Sequence, residues 1–433
     1  MEKNIEWLKL QICEKFSGGE YVDVTEYASY TKADESGRRI WTEAFAFAIK
    51  NNSKVYIPNG LYYIDDTIVI PSNRMLKADK NARICLVGTC KKVLIRNDAV
   101  IDGSSKIVED SARFTNNINI SGGIWSTEFS KRAEYGKLGI YDESDSLHGV
   151  HAMMLFSGVK NLWLQDMVFE NSATFAIQIG RVRNFIVENI EFRRCFADGV
   201  HLNGDIKNGA VINVRGETED DLVALNAYDW DNSTINNGPI ENVTIDGVVC
   251  EGGECHCMRF APGILPDNKG AIDCYVKNIR VKNVQGVSLF KLYLQTPPYV
   301  GTPDGTSVGN IDEITFENIE VVKDRPSDNV PDMYSKNAVT GHFGVFELGS
   351  NINKLTLKNI KVQMNCEEYP DTAHFITIGP KSCYVESKRL EVFDPYACSV
   401  CRQIEFDDVV INGEKIEDLK PYIKEISFPR LYS

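Results

Sequence analysis

NLWLQDM, from Asn161 to Met167, and NFIVENI, from Asn184 to Ile190, decide how this chain is read. Both follow one pattern: polar, apolar, any residue, apolar, any residue, Asn or Asp, apolar. Alternation with period two makes each phrase a strand with one buried face. The phrase returns as NVTIDGV from Asn242, NIRVKNV from Asn278, EITFENI from Glu313, KLTLKNI from Lys354 and QIEFDDV from Gln403, with a weaker copy, AVINVRG, from Ala210. Successive copies are 23, 26, 32, 36, 35, 41 and 49 residues apart. A recurring strand with irregular steps predicts a solenoid in which each coil adds one rung and surplus residues leave as loops. The segments between phrases lack helical periodicity, so leucine-rich and helical repeats fit worse than a right-handed parallel β-helix. Asn at the phrase starts suits a turn between sheets, where a short side chain bonds locally and tolerates the left-handed conformation.

Outward from this core, KVLIRND from Lys92 and NINISGG from Asn117 read as earlier coils, for about ten in all. The whole chain, 1–433, is predicted to be one all-β domain, with residues 1–73 as a short helical and strand cap and 74–433 as coils with inserted loops. Ile5, Leu8, Ile12 and Phe16 recur at helical spacing, and a second helix is expected from Trp41 to Lys50, before the strand KVYIP. A cap is physically required, because an open coil end exposes unpaired strand edges. The segment from Tyr21 to Asn73 resembles the N-terminal cap of the pectin-degrading β-helix superfamily, with its D-V-x-x-Y opening and V-Y-I-P-x-G-x-Y strand. Ala28-Ser29 stands where that family often has Gly-Ala.

Composition narrows the function classes. Hydrophobic residues make up 43% and charged residues 25%, enough apolar surface to offset the entropy of ordering. The formal net charge of −14 argues against nucleic acid or an anionic membrane as partner, since both need dense cation patches. Charged residues interrupt the first helix too often for a signal peptide, and no apolar run reaches the length of a membrane span, so a cytoplasmic location is expected. The twelve cysteines then read as thiols. Cys398-x-x-Cys401 and Cys255-His256-Cys257 invite a zinc reading, but the second half of a ribbon or finger is missing, and neither a metal nor a cofactor is expected.

Two carboxylate clusters occupy consecutive coils: Ala197-Asp198-Gly199-Val200-His201-Leu202-Asn203 and Glu219-Asp220-Asp221-Leu222-Val223-Ala224-Leu225. If Val200 and Leu202 point inward below Val223 and Leu225, Asp198 and Asp221 fall at matching positions about 4.8 Å apart along the stack. Asp220 projects from the same turn. Like charges brought together push at least one pKa up and separate an acid from a base. A single Asp at a coil turn is most simply a solvated residue; the pair stacked on a third Asp is what points to chemistry.

These segments resemble the polygalacturonase-like glycoside hydrolases of family 28, whose motifs are Asn-Thr-Asp-Gly, Gly-Asp-Asp, Gly-His-Gly and Arg-Ile-Lys. Asp198-Gly199 matches the end of the first, with Phe196-Ala197 in place of Asn-Thr. Asp220-Asp221 matches the second, with Glu219 for Gly. His256 stands where the third motif has His, flanked by Cys255 and Cys257, and Lys291 matches the last Lys, with Leu289 in place of Arg. The resemblance implies hydrolysis of oligosaccharides containing uronic acids with inversion at the anomeric carbon: Asp220 as general acid, Asp198 and Asp221 activating water, His256 holding the acid's protonation state, and Lys291 binding substrate. Alternation sets His201, Arg259 and Lys291 on one outward row, so Arg259 is expected to replace the missing arginine in gripping a substrate carboxylate. For His256 the plain alternative is a histidine packed between coils, and for Lys291 a solvated cation.

Tyr228 and Trp230, in the insertion after the Asp pair, are candidates for an aromatic sugar platform or for simple packing. The loop from Trp125 to Val150, with Tyr135, Tyr141 and His148, and then His151, is a candidate second wall. Bulky loops would narrow the cleft and favour exo action. Two other readings stay open: a polysaccharide lyase or epimerase using Arg259 or Lys291 as base, and a non-catalytic carbohydrate-binding β-helix. Neither the oligomeric state nor the choice between uronic and neutral sugars follows from the sequence.

Overall fold

The computed structural model describes residues 2–88, 92–102, 107–128, 152–172, 174–229, 234–251, 258–267, 270–287, 290–292, 309–323, 343–364, 373–378, 380–385, 390–398 and 400–425. They divide into two compact units, residues 1–201 with 206–218 and 231–236, and residues 202–205 with 219–230 and 237–433. Each unit is built from the coils of a right-handed parallel β-helix, and no described helix is long and apolar enough to cross a membrane.

In the first unit a single inward row climbs through the parallel ladders: Val55, Leu76, Ile120, Leu164, Val187 and Val211 pair in turn. Each of these is essentially inaccessible to solvent. In the second unit the row Ile245, Val281, Phe316, Leu357 and Phe406 does the same. Phe290 and Phe346 stack face to face there, with ring centroids 5.0 Å apart. From Ile120 onward the members of both rows are apolar positions of the recurring phrase, and burying them against the neighbouring coil is what each coil cannot do alone.

The phrase is not a straight strand. Extended chain runs from Ala152 to Glu170 while its pairing with the next coil skips Gly158, Asn161 and Asp166, and 19 residues of straight strand would span about 60 Å. The chain instead bends at left-handed residues, Gly158, Asn161 and Asp166. The next coil bends at Asn184 and Asn189. Both Asn or Asp positions of the phrase are therefore corners, with only four residues between them lying flat in the sheet.

At these corners the side chains form ladders. Asn117 donates to Asn73 at 2.8 Å, Asn161 to Asn117 at 2.9 Å, Asn184 to Asn161 at 3.1 Å and Asn208 to Asn184 at 3.4 Å. A second ladder in the other unit links Asn359, Asn318, Asn283 and Asp246. Asparagine is chosen because it tolerates positive φ and offers both a donor and an acceptor. Asn161→Ala keeps the positive φ without the local stabilisation and breaks two rungs, so the urea midpoint should fall by the equivalent of ~2 kcal/mol. Asn161→Gly should lose about half of that.

The cap follows the expected order. A 3-10 helix, Val24–Tyr30, starts on a capping box between Asp23 and Glu26. Helix α2, Thr42–Asn51, buries Phe45, Ala48 and Ile49, and the strand Lys54–Ile57 follows. Helix α1, Glu2–Lys15, behaves differently. Its Leu8 and Ile12, with Phe16 just beyond, pack on Trp163 and Ile186, outward residues of later coils. Lys9 reaches Glu188 at 2.5 Å, and Glu188 also accepts from the Trp163 indole at 2.8 Å. The reason lies in the coil sequence: Trp163 and Ile186 are apolar where other coils carry polar residues, and α1 covers them.

Candidate active site

Asp198 sits in the turn before the strand Val200–Asn203, and its backbone carbonyl accepts from Ala176 N–H at 3.0 Å. Val200 and Leu202 face the core and His201 faces outward, as alternation requires, yet His201 is only 1% exposed. Its Nδ1 lies 2.5 Å from Asp198 Oδ2. Phe175 stacks on the imidazole with centroids 4.0 Å apart and planes 11° from parallel. A buried carboxylate needs a charged or donating partner, and His201 is that partner.

Asp221 precedes the strand Val223–Asn226 by two residues, the offset of Asp198 from Val200, and Asp220 stands one residue earlier. Asp221 is buried, and its Oδ2 accepts from Arg259 Nε at 2.7 Å. Arg259 Nη2 lies 3.6 Å from Asp220 Oδ1, whose side chain is 25% exposed. Arg259 itself is buried in the strand Met258–Ala261, with Met258 and Phe260 facing the core. The guanidinium expected to grip substrate thus turns to the Asp pair, because a cation taken out of water is retained only beside an anion. Along the ladder Ala224 pairs with Arg259, Arg259 with Lys291, and Lys291 with Glu347.

Asp198 belongs to the first unit and the Asp220-Asp221 pair to the second. Each of the three faces a basic group of its own unit: Asp198 faces His201, and Asp220 and Asp221 face Arg259. Of the cysteines singled out in the sequence, Cys401 has its thiol pushed up to about 11 by burial, an environment opposed to thiolate ligation. The backbone of Cys398 lies in a strand, while Cys255 and Cys257 fall outside the described residues.

Tyr228 is packed rather than offered to a ligand: it is 1% exposed, and its N–H donates to the Ala261 carbonyl at 3.1 Å. Trp230, His256, Leu289, Tyr135, Tyr141, His148 and His151 lie outside the described residues, and Lys291 is placed by its backbone alone.

Sequence reasoning overlooked the base of the insertion that follows Asn226. Asn203 donates to the buried Asp229 carboxylate at 3.2 Å, and Asp229 N–H donates to Asn237 at 3.2 Å. Gly204 lets the insertion approach: a Cβ there would stand 2.0 Å from Gly238 N and 2.4 Å from the Asn237 carbonyl carbon. The signal was Asn203-Gly204, a polar residue and a glycine where the strand VHL would otherwise continue. Gly204→Ala forces backbone apart, and we expect a loss of about 1–3 kcal/mol in urea unfolding, with faster proteolytic cutting between residues 227 and 239.

No family model matches the chain, and no curated protein matches it in sequence. Solved structures with a similar fold include the surface adhesin PfbA of Streptococcus pneumoniae, at 13% identity over 94% of this chain and 100% of that one, with a TM-score of 0.49. Others are the family 28 exopolygalacturonase of Yersinia enterocolitica (14% identity, 94% and 77% covered, TM-score 0.48) and a hyperthermoactive exopolygalacturonase from Thermotoga maritima (14%, 95% and 97%, 0.41). At these identities the likeness is one of fold.

Proposed function

We propose that the chain is a glycoside hydrolase acting on oligosaccharides, in which Asp220 is the general acid and Asp198 and Asp221 activate water. One observation carries this reading: the three carboxylates differ in burial and in their partners. Asp198 is held by His201 and Asp221 by Arg259, both at close hydrogen-bonding distance and both buried, which favours their charged forms. Asp220 is partly exposed, lies 3.6 Å from Arg259 and accepts from Asp221 N–H at 3.2 Å, and its exposure is why the proton-bearing role is assigned to it. An acid and a base are what glycosidic cleavage requires: Asp220 protonates the leaving oxygen, and an ionised neighbour takes a proton from the attacking water.

Inverting glycosidases usually hold their carboxyl groups about 6.5–9.5 Å apart, and retaining ones about 5–5.5 Å. We assign inversion because one oxygen of Asp198 and one of Asp221 are each tied to a basic group, which blunts them as nucleophiles while leaving them able to orient water. The docked insertion at Gly204 favours short substrates and exo action. A lyase would need a free Lys or Arg base, and Arg259 is engaged by two carboxylates.

The test is product analysis on a panel of neutral and uronic oligosaccharides, with the anomer read early by NMR. Inverted product supports the reading, whereas retained product replaces the mechanism with a covalent one. An unsaturated product absorbing in the ultraviolet makes the chain a lyase. Sugar binding without turnover across the panel makes it a binding protein.

A further inference from the structure

Asn226 ends the strand Val223–Asn226, two residues beyond Ala224 and on the same outward side. Alternate residues of a strand lie about 7 Å apart, so Asn226 stands roughly one sugar ring along the strand from the position that pairs with Arg259. It is 3% exposed, as little as Asp198. Its Oδ1 is buried and has no hydrogen-bond partner, and among the described residues Nδ2 makes no hydrogen bond either.

The surroundings leave the carboxamide unanswered. Across the ladder its partner is Ala261, whose methyl group offers nothing polar. Asn203, on the strand Val200–Asn203, has its own amide on Asp229. Tyr228 N–H, the nearest donor along the chain beyond Ala227, is taken by the Ala261 carbonyl. A buried amide with neither end bonded is costly in a folded chain, and such groups are normally paired. A carboxamide presents one acceptor and two donors side by side, which complements two neighbouring hydroxyls of a sugar ring whichever way the amide is turned.

We propose that Asn226 is a sugar-binding residue, its carboxamide taking a vicinal diol of the substrate. This rests on the carbohydrate-active reading above and adds a residue that the carboxylate chemistry does not require.

The test uses Asn226→Leu, close in size and without polar atoms. In an Asp220→Asn background, which keeps turnover off, calorimetry measures the binding of two probes, α-1,4-linked trigalacturonate and maltotriose. The expected result is binding of at least one probe, weakened about tenfold by Asn226→Leu. Without sugar, Asn226→Leu should melt a few degrees higher, because an unpaired buried amide has been replaced by a hydrocarbon. A merely structural asparagine would lower the melting temperature instead. Unchanged affinity, a lower melting temperature, or no binding of either probe overturns the proposal. Binding that depends on Asn226, with no turnover in the unaltered chain, leaves this inference standing and removes hydrolysis.

Discussion

Asp220→Asn should leave the fold intact and lower turnover by about 10²–10⁴-fold, the range supplied by a positioned general acid. An amide has no proton to give to a glycosidic oxygen. Stability should change little, because the amide matches the carboxyl in size, the side chain is partly exposed, and an amide oxygen can still accept from Asp221 N–H. Circular dichroism and urea unfolding check the fold, and release of reducing ends on the best oligosaccharide checks the rate. A substrate with an activated leaving group sharpens the result: it needs no protonation, so the variant should recover most of its rate on such a glycoside. Full activity on the natural leaving group would remove Asp220 as the acid.

Arg259→Met has the larger effect on stability. The guanidinium and the Asp221 carboxylate are both nearly inaccessible, at 6% and 2% side-chain exposure. Removing one member of a buried pair leaves the other charge without compensation, at a cost of about 3–5 kcal/mol. The urea midpoint should fall accordingly and activity should be lost with it. The double variant Arg259→Met with Asp221→Leu should recover most of the stability, since it removes both charges, while activity stays absent. Arg259→Met of unaltered stability would show that the pair does not hold Asp221.

Much of the fold could be read in advance because its determinants are local. The apolar positions of NLWLQDM and its copies are inward wherever the ladders are described, and Asn161 and Asn184 take the left-handed conformation that a corner needs. The helix before KVYIP is found within one residue of its expected start. What the pattern concealed was continuity: the second Asn or Asp of the phrase is also a corner, and the bends are invisible to a rule of alternation that assumes a straight strand. The flank covered by α1 was equally hidden, because whether Trp163 is solvated or covered depends on a helix about 150 residues earlier in the chain.

The site divides in the same way. Repetition along a sequence specifies which residues stack, since a parallel coil returns each residue to nearly the same place about 4.8 Å further on; the order of carboxylates at Asp198, Asp220 and Asp221 is of this kind. It does not specify what a side chain bonds to once it is buried. His201 and Arg259 were both read as facing substrate, and the folded chain sets His201 on Asp198 and Arg259 on Asp221. The sequence alone determined the stacked coils and the placement of acids on them, because both follow from periodicity. Only the tertiary structure decided which acid is buried and which basic group lies within hydrogen-bonding distance of it, because these are set by neighbouring coils and not by the residue's own phrase.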